Sequence, residues 1–329
     1  MKVPFVSYSL QYQAHKDEYD KAIQSCLERG DLILRKDLED FEKNLADFLG
    51  VEEVVGVASG TDALLLSMKM LDIGKGDEVI TSSYTFRATV EAILHTGATP
   101  VLADIDEDWR YYETDRTKAI IPCHLEGRIS DWKLDSMSRN IHMIEDACQA
   151  IGAKKQDGIF ACYSFYPAKI LGGFGDGGAI ATNRKDLAAK LRTFRNHDKG
   201  SWHKVAYNSR LDNVQAAFLS VKLKYLPDIL KRRKEIALMY EQLKDPVKKP
   251  ELREVYQDYI VEVPDPQKLQ KHLAEKGIDT MLNGYPFPSA QKKKFETCRY
   301  ENQSIRLPCN ETLTNTQVEF VIETINAYY

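Results

Sequence analysis

Lys169 stands in "SFYPAKILGGFGDGGAI", residues 164–180, among small and apolar residues, and Gly173, Gly175 and Gly178 follow it in the spacing G-x-G-x-x-G. Two chemistries suit such a stretch. A glycine-rich turn can bring backbone N–H groups against a pyrophosphate, whereas an amine bordered by Ala168, Ile170 and glycines can be a nucleophile if desolvation and a nearby positive charge lower its pKa. Context separates the two. A dinucleotide fingerprint needs a strand before the glycines, a helix opening at the third glycine and an acidic residue about 20 positions on. Here Gly178 leads into "AIATN", a strand pattern, and the next helical pattern starts only after Asn183. The glycines therefore read as a tightly turning or moving loop around a reactive amine. The chain also lacks the phosphate-loop pattern G-x-x-x-x-G-K-[ST] and the nucleophile elbow G-x-S-x-G.

Three other stretches give Lys169 partners. "ASGTDALLL" sets Ser59, Gly60, Thr61 and Asp62 directly before an apolar helix, where free N–H groups and the helix dipole can hold a phosphate. A plain helix cap explains the same residues. "HMIEDACQA" ends an apolar strand with Glu145, Asp146 and Gln149, so a carboxylate falls at a strand end, as ligand or as cap. "NSRLDNVQAA" brings Asn208 and Arg210 to a helix start, with Ser209 and Asp212 available as a capping box. Together, a phosphate cradle, a strand-end acid, an aromatic in "SSYTFRAT" and a lysine among small residues match what pyridoxal 5′-phosphate requires. Cys123, His124 and Glu126 suggest a metal site only superficially. Adjacent residues rarely point at one ion, and no second ligand cluster accompanies them, so they read as structural.

These residues need a scaffold. From Val54 to about Thr182, short β-branched runs ("VVGVAS", "DEVITS", "TPVLADI", "KAIIPCH", "HMIEDA", "ACYSFY", "GAIATN") are separated in the first half by amphipathic helical ones. That alternation predicts an α/β domain with a mostly parallel sheet between helices and with ligands at strand ends. Helices are expected over 14–29 and 36–49, the latter with Leu38, Phe41, Leu45 and Phe48 on one stripe and Gly50 as its stop. "RKDLAAKLRTF" reads as a capped helix, and long helices follow Asn208, interrupted at Pro227. The charged stretch "KDPVKKPELREV" reads as a linker, which divides the chain into a large domain, 1–243, and a small C-terminal α+β domain, 244–329.

Composition excludes several partners. With 329 residues, 43% hydrophobic, 29% charged and a net charge of −4, the chain has the profile of a soluble globular protein without a basic footprint for nucleic acid or anionic membrane. No stretch approaches the roughly 18 apolar residues of a membrane span, and the N-terminus lacks the apolar core of a signal peptide. The expected location is the cytoplasm. Six scattered cysteines without a C-x-x-C pair argue against a zinc ribbon or a disulfide framework.

"SGTDAL", "EDACQA", "SFYPAK" with "GDGGAI", and "YNSRLDNVQAA", in this order, make the sequence similar to the nucleotide-sugar aminotransferases of the DegT/StrS type, fold type I enzymes dependent on pyridoxal phosphate. The resemblance runs from "VPFV" to about Leu243. It implies that Lys169 carries the cofactor as a Schiff base, that Asp146 pairs with the pyridine nitrogen and that Gln149 lies near the phenolic oxygen. Gly60, Thr61 and Ser164 would contact the phosphate, Phe86 would stack on the ring with Tyr84 as alternative, and Asn208 would reach the phosphate of a neighbouring subunit in a homodimer. The implied reaction moves an amino group from L-glutamate, through pyridoxamine 5′-phosphate, to a nucleotide-linked keto-deoxysugar.

Lys169 separates the chain from a related dehydrating branch that has histidine there. "NSRLDNVQAAFLSVKLKYL" resembles enzymes acting at C3 of the sugar, with C4 as the alternative. A non-catalytic cofactor-binding regulator is the rival from another class. Three departures bear on the substrate: Ala168 replaces a usual glycine, Glu126 and Arg128 stand where relatives have an aromatic and an amide, and "NGYPFPSAQKKK" only partly resembles the family's Tyr-Pro segment.

Overall fold

Strand β1 (Glu53–Val57), β2 (Glu78–Ser82), β3 (Thr99–Ala103), β4 (Thr117–Ile121), β5 (His142–Asp146), β6 (Phe160–Ser164) and β7 (Gly178–Thr182) form one sheet in the order β1-β7-β6-β5-β4-β2-β3. The computed structural model describes residues 1–104, 109–130, 140–153, 156–199, 205–282 and 302–329. The β2–β3, β2–β4, β4–β5 and β5–β6 pairs are parallel, and β7 runs antiparallel to both β6 and β1. Six strands therefore share one direction, and their carboxyl ends lie along a single edge. In open α/β sheets this edge is where ligands bind.

The strands are almost fully buried, as expected of a sheet covered on both faces. On one side, helix α3 (Lys36–Leu49) packs Leu38, Phe41 and Leu45 into a core with Ala179, Ala181 and Phe165. Burying each of these three contributes about 2 kcal/mol. Gly50 ends α3 in the left-handed conformation at φ 67°, as the sequence suggested. On the other side, α4 (Gly60–Met70), α5 (Arg87–Thr96) and α6 (Lys185–Phe194) bury Leu64, Leu66, Met68, Ile93 and Leu191 against the opposite face.

Two short N-terminal helices, α1 (Tyr8–Ala14) and α2 (Lys16–Arg29), precede α3, and α7 (Asn213–Lys224) and α8 (Leu226–Met239) follow α6, with Pro227 in the first turn of α8. Pro there needs no N–H and sets φ for a new helix, which is why the chain starts a fresh one. Two expected caps differ from the reading above. Asp212 is the N-cap residue of α7 but makes no side-chain cap bond, and Ser209 is engaged elsewhere. At α6 the N-cap residue is Arg184, while the Asn183 side chain accepts from the Glu52 N–H.

A second, antiparallel sheet has the order β8 (Tyr259–Glu262), β10 (Ser304–Leu307), β9 (Met281–Leu282), with α9 (Pro266–Glu275) and α10 (Asn315–Tyr328) beside it. Its core also takes Val3 from the N-terminus and Ile236, Ala237, Tyr240 and Leu243 from the end of α8 onward. Val3 bonds to Gly277 and Asp279, and the Asn310 side chain donates to the carbonyls of Pro4 and Phe5. The first residues are thus held against the C-terminal unit. The segment 244–255 is not a free tether: Val247 and Val255 are buried.

Candidate active site

β6 and β7 form a hairpin whose connection closes at its base, where Phe165 N–H donates to Gly177 O at 2.8 Å. Lys169 sits in this connection, on a turn in which its N–H donates to Tyr166 O at 2.8 Å. The chain then folds back so that Gly173 N–H reaches Phe165 O. A Cβ at Gly172 would lie 2.2 Å from Pro167 O, so this doubling-back requires glycine. Of the two loop readings, the geometry here is the tight turn.

The hairpin opens onto a cavity of about 380 Å3 at the carboxyl edge of the large sheet. Gly60, Thr61, Phe86, Asp146, Gln149, Ser164 and Lys169 all line it. Asn208 is exposed and is not among its lining residues. Phe86, ahead of α5, is half exposed at the cavity. Tyr84 turns away, buried, with its hydroxyl on the Glu126 carboxylate, so of the two aromatics Phe86 borders the cavity.

The start of α4 and the end of β6 converge. A Cβ on Gly60 would lie 2.8 Å from both Ser164 Cβ and Cys148 Sγ, and one on Gly178 would lie 2.3 Å from the Ser59 carbonyl carbon. Absence of these side chains lets the helix start, the Ser164 hydroxyl and the first residue of β7 crowd together. Gly60, Thr61 and Ser164 line the cavity there, and N–H groups at a helix start beside a hydroxyl suit an anion. Ser59 also caps α4, accepting from Asp62 N–H at 3.1 Å, so the capping reading holds alongside.

At the end of β5 the side-chain alternation separates the two acids. Glu145 is bound by His124 at 3.2 Å and by the N–H groups of Asp157 and Gly158, away from the cavity. Asp146 faces the cavity, 4% exposed, with Thr89 Oγ1 donating to Oδ2 at 2.6 Å and Cys148 N–H donating to Oδ1 at 3.2 Å. Two fixed donors leave the carboxylate one orientation. Burial pushes the Cys123 and Cys148 thiols well above their ordinary range, with the Asp146 charge adding to the shift and Lys169 opposing it. Cys123, His124 and Glu126 have separate partners: Cys123 lines the cavity, His124 meets Glu145, and Glu126 meets Tyr84 and Arg253.

Several participants escaped the sequence reading. Thr89 orients Asp146 from one turn into α5 and had no motif to mark it. Ser209 accepts from Ala58 N–H and donates to Asp62 Oδ2 at 2.6 Å, tying the "YNSR" segment to the start of α4. From the C-terminal unit come Gln257, Asp258, Arg306 and Asn310, with Phe5 and Val6 from the N-terminus. The Asp258–Arg306 pair, at 3.2 Å and nearly buried, puts charge into the far wall. The only sequence signal was an arginine inside the apolar run "SIRLP".

A buried strand-end carboxylate, a helix-start anion cradle and a lysine on a glycine-closed hairpin, all on one α/β sheet edge, fit pyridoxal 5′-phosphate. Fold and site together place the chain in the fold type I, pyridoxal-phosphate-dependent aminotransferase class. Residues 13–326 match the model of the DegT/DnrJ/EryC1/StrS aminotransferase family, and the chain belongs to that family. It is 36% identical to the dTDP-3-amino-3,6-dideoxy-alpha-D-galactopyranose transaminase of Aneurinibacillus thermoaerophilus, over 99% of both chains. It is 34% identical to the pleiotropic regulatory protein of Geobacillus stearothermophilus, over 100% of this chain and 99% of that one. Among solved structures it is similar to S. venezuelae DesV in complex with a ketimine intermediate, with 33% identity, a TM-score of 0.90 and coverage of 99% of this chain and 98% of that one. Among the described residues no helix is long and apolar enough to cross a membrane.

Proposed function

We propose that the protein transfers the amino group of L-glutamate to the 3-keto group of a nucleotide-linked deoxysugar, in the cytoplasm, as a homodimer. The observation that carries this reading is the convergence of Lys169, Asp146, Ser164 and the start of α4 on one cavity. Bound there, pyridoxal phosphate supplies the electron sink that lets negative charge develop at the donor's Cα. The chain's own groups do the rest. N–H groups of Gly60 and Thr61 and the hydroxyl of Ser164 would hold the phosphate, and Asp146, fixed by Thr89, would hold the ring nitrogen's proton in place. Gln149 and Phe86 line the same cavity, where Gln149 would meet the phenolic oxygen and Phe86 would cover one face of the ring. Lys169 Nζ, freed when the donor binds, would be the base that takes the proton from the donor's Cα and the acid that returns it at the cofactor's C4′, and would act in reverse in the second half-reaction. Asn208, exposed and outside this chain's own cavity, completes the site of the other subunit.

A sugar acceptor and the C3 position are supported by the similarity of "NSRLDNVQAAFLSVKLKYL" to enzymes acting there and by the 3-amino product in the name of the Aneurinibacillus relative. The name of the Geobacillus relative favours a regulatory role. Against it stands the full set of cofactor-facing groups, for which a purely regulatory chain has no chemical use. The test is to incubate the loaded protein with glutamate and dTDP-, UDP- or GDP-linked 3-keto and 4-keto deoxysugars and to follow the amino product by mass. Amination of a 3-keto sugar supports the reading. Product only from 4-keto sugars moves the position, and no product from any ketosugar, despite turnover of glutamate, removes the sugar acceptor.

A further inference from the structure

We propose that Gln257 is a positioning residue for Lys169, its carboxamide gripping the backbone on both sides of the lysine and fixing where the amine stands in the cavity. Its Nε2 donates to Ala168 O at 2.9 Å, and its Oε1 accepts from Ile170 N–H at 3.1 Å. The two bonds bracket residue 169. A primary carboxamide offers a donor and an acceptor side by side in one plane at any ordinary pH, so it pairs with the hairpin turn much as a neighbouring strand would. This inference rests on the functional reading above, because it assigns the clamp to the amine that reading uses.

Gln257 is itself held from several directions. It is 8% exposed, its N–H donates to Glu126 O at 3.2 Å, and its carbonyl accepts from Arg233 Nη1 at 3.0 Å. Arg233 is buried and paired with Glu311 at 2.9 Å. Glu126 has the left-handed φ of 61°, and its N–H donates to Gln149 Oε1 at 2.8 Å. The backbone of Glu126 therefore links the Gln149 side chain, in the cavity, to the main chain of Gln257, whose side chain holds the Lys169 turn. The clamp comes from the segment that leads into the C-terminal sheet, so the position of the amine is set jointly by the two halves of the chain. An error of an ångström at a reacting group costs about 100-fold in rate, so a fixed turn has a direct catalytic consequence.

The test compares wild type with Gln257→Leu, which removes both bonds, and Gln257→Glu, which keeps the size and the acceptor but turns an acceptor toward Ala168 O. Cofactor-free protein is pulse-labelled with acetic anhydride, and Lys169 and the buried Lys222 are quantified by peptide mass; borohydride trapping of added pyridoxal phosphate at Lys169 is followed in parallel. Gln257→Leu is expected to speed acetylation of Lys169 about fivefold while Lys222 stays protected, and to slow trapping about tenfold. Gln257→Glu is expected to match the leucine variant above about pH 7 and to recover wild-type trapping below about pH 5, where the introduced carboxyl regains a proton to donate. Unchanged labelling and trapping in Gln257→Leu would overturn the proposal, and so would equal gains at Lys169 and Lys222, which would make Gln257 a support of the whole fold. Absence of any trapped adduct in wild type sinks the cofactor reading instead, while the acetylation arm still decides the clamp.

Discussion

Lys222, on α7, is a buried amine beneath the site, 5% exposed, donating to Gly172 O at 3.2 Å in the turn that follows Lys169. Burial pushes its pKa down from 10.5 to about 8, partly countered by Glu311 and reinforced by Arg233. At about 1.4 kcal/mol per pH unit, that gap corresponds to roughly 3 kcal/mol of stability withheld whenever the amine is charged. The sign follows from proton counting. Below about pH 8 folded and unfolded chains both hold the proton, so the full penalty is present; between about 8 and 10.5 the unfolded chain binds more, and stability rises with pH. Lys222→Met removes the penalty and also one hydrogen bond, worth about 1 kcal/mol. The variant should therefore be more stable than wild type by roughly 2 kcal/mol near neutral pH and less stable by about 1 kcal/mol near pH 10.5. Urea unfolding of both proteins at matched concentration across this range measures the difference, from which other titrating groups cancel. A difference independent of pH, or a variant already weaker at neutral pH, would show that the buried Lys222 amine carries no such penalty.

Two further substitutions test the packing around the site. Gly178→Ala places a methyl 2.3 Å from the Ser59 carbonyl carbon and 2.7 Å from Gly60 N, both backbone atoms. It should lower stability by about 2 kcal/mol and weaken pyridoxal phosphate binding more than about tenfold, as measured by urea unfolding and equilibrium dialysis. Arg253→Met removes the cation that stands 3.4 Å from the Glu126 carboxylate, which is 1% exposed and is left with the Tyr84 hydroxyl as its side-chain donor. Burial already holds that carboxyl above its ordinary pKa of 4.5, with Arg253 and Tyr84 pulling it down. Without Arg253 it rises further, so the variant should lose about 3 kcal/mol near pH 8 and much less near pH 5, where the carboxyl takes up a proton.

What the sequence made legible was local. Short β-branched runs identified the strands, and Lys169, Asp146 and the residues around Gly60 together suggested pyridoxal phosphate, while fold type I was what the resemblance of the four motifs implied. The resemblance already picked Asp146 over Glu145, and the strand's alternation supplies the physical reason, since either acid ends the run but Glu145 turns to His124 while Asp146 faces the cavity. Thr89, Ser209 and Gln257 were not legible for a different reason. Each acts on a residue distant in sequence through one or two hydrogen bonds, and nothing in its own neighbourhood distinguishes it from a surface polar residue. The far wall of the cavity, with Arg306, Asp258 and Phe5, depends on the two ends of the chain meeting, which periodicity does not encode. The segment "NGYPFPSAQKKK", read as a partial match to the sugar-contacting stretch, lies outside the described residues.

In the proposed reaction the Lys169 amine carries both the cofactor and the proton. Protein loaded with pyridoxal phosphate should show a visible absorbance band that bleaches on addition of L-glutamate, with 2-oxoglutarate released in equal amount and, in untreated protein, borohydride fixing the cofactor to the Lys169 peptide. Lys169→Ala, in which Asp146 and the α4 cradle remain, should still bind the cofactor but should neither bleach with glutamate nor yield a borohydride-fixed peptide. Glutamate conversion by Lys169→Ala at the wild-type rate, or fixation at a different lysine in the unaltered protein, would contradict the account.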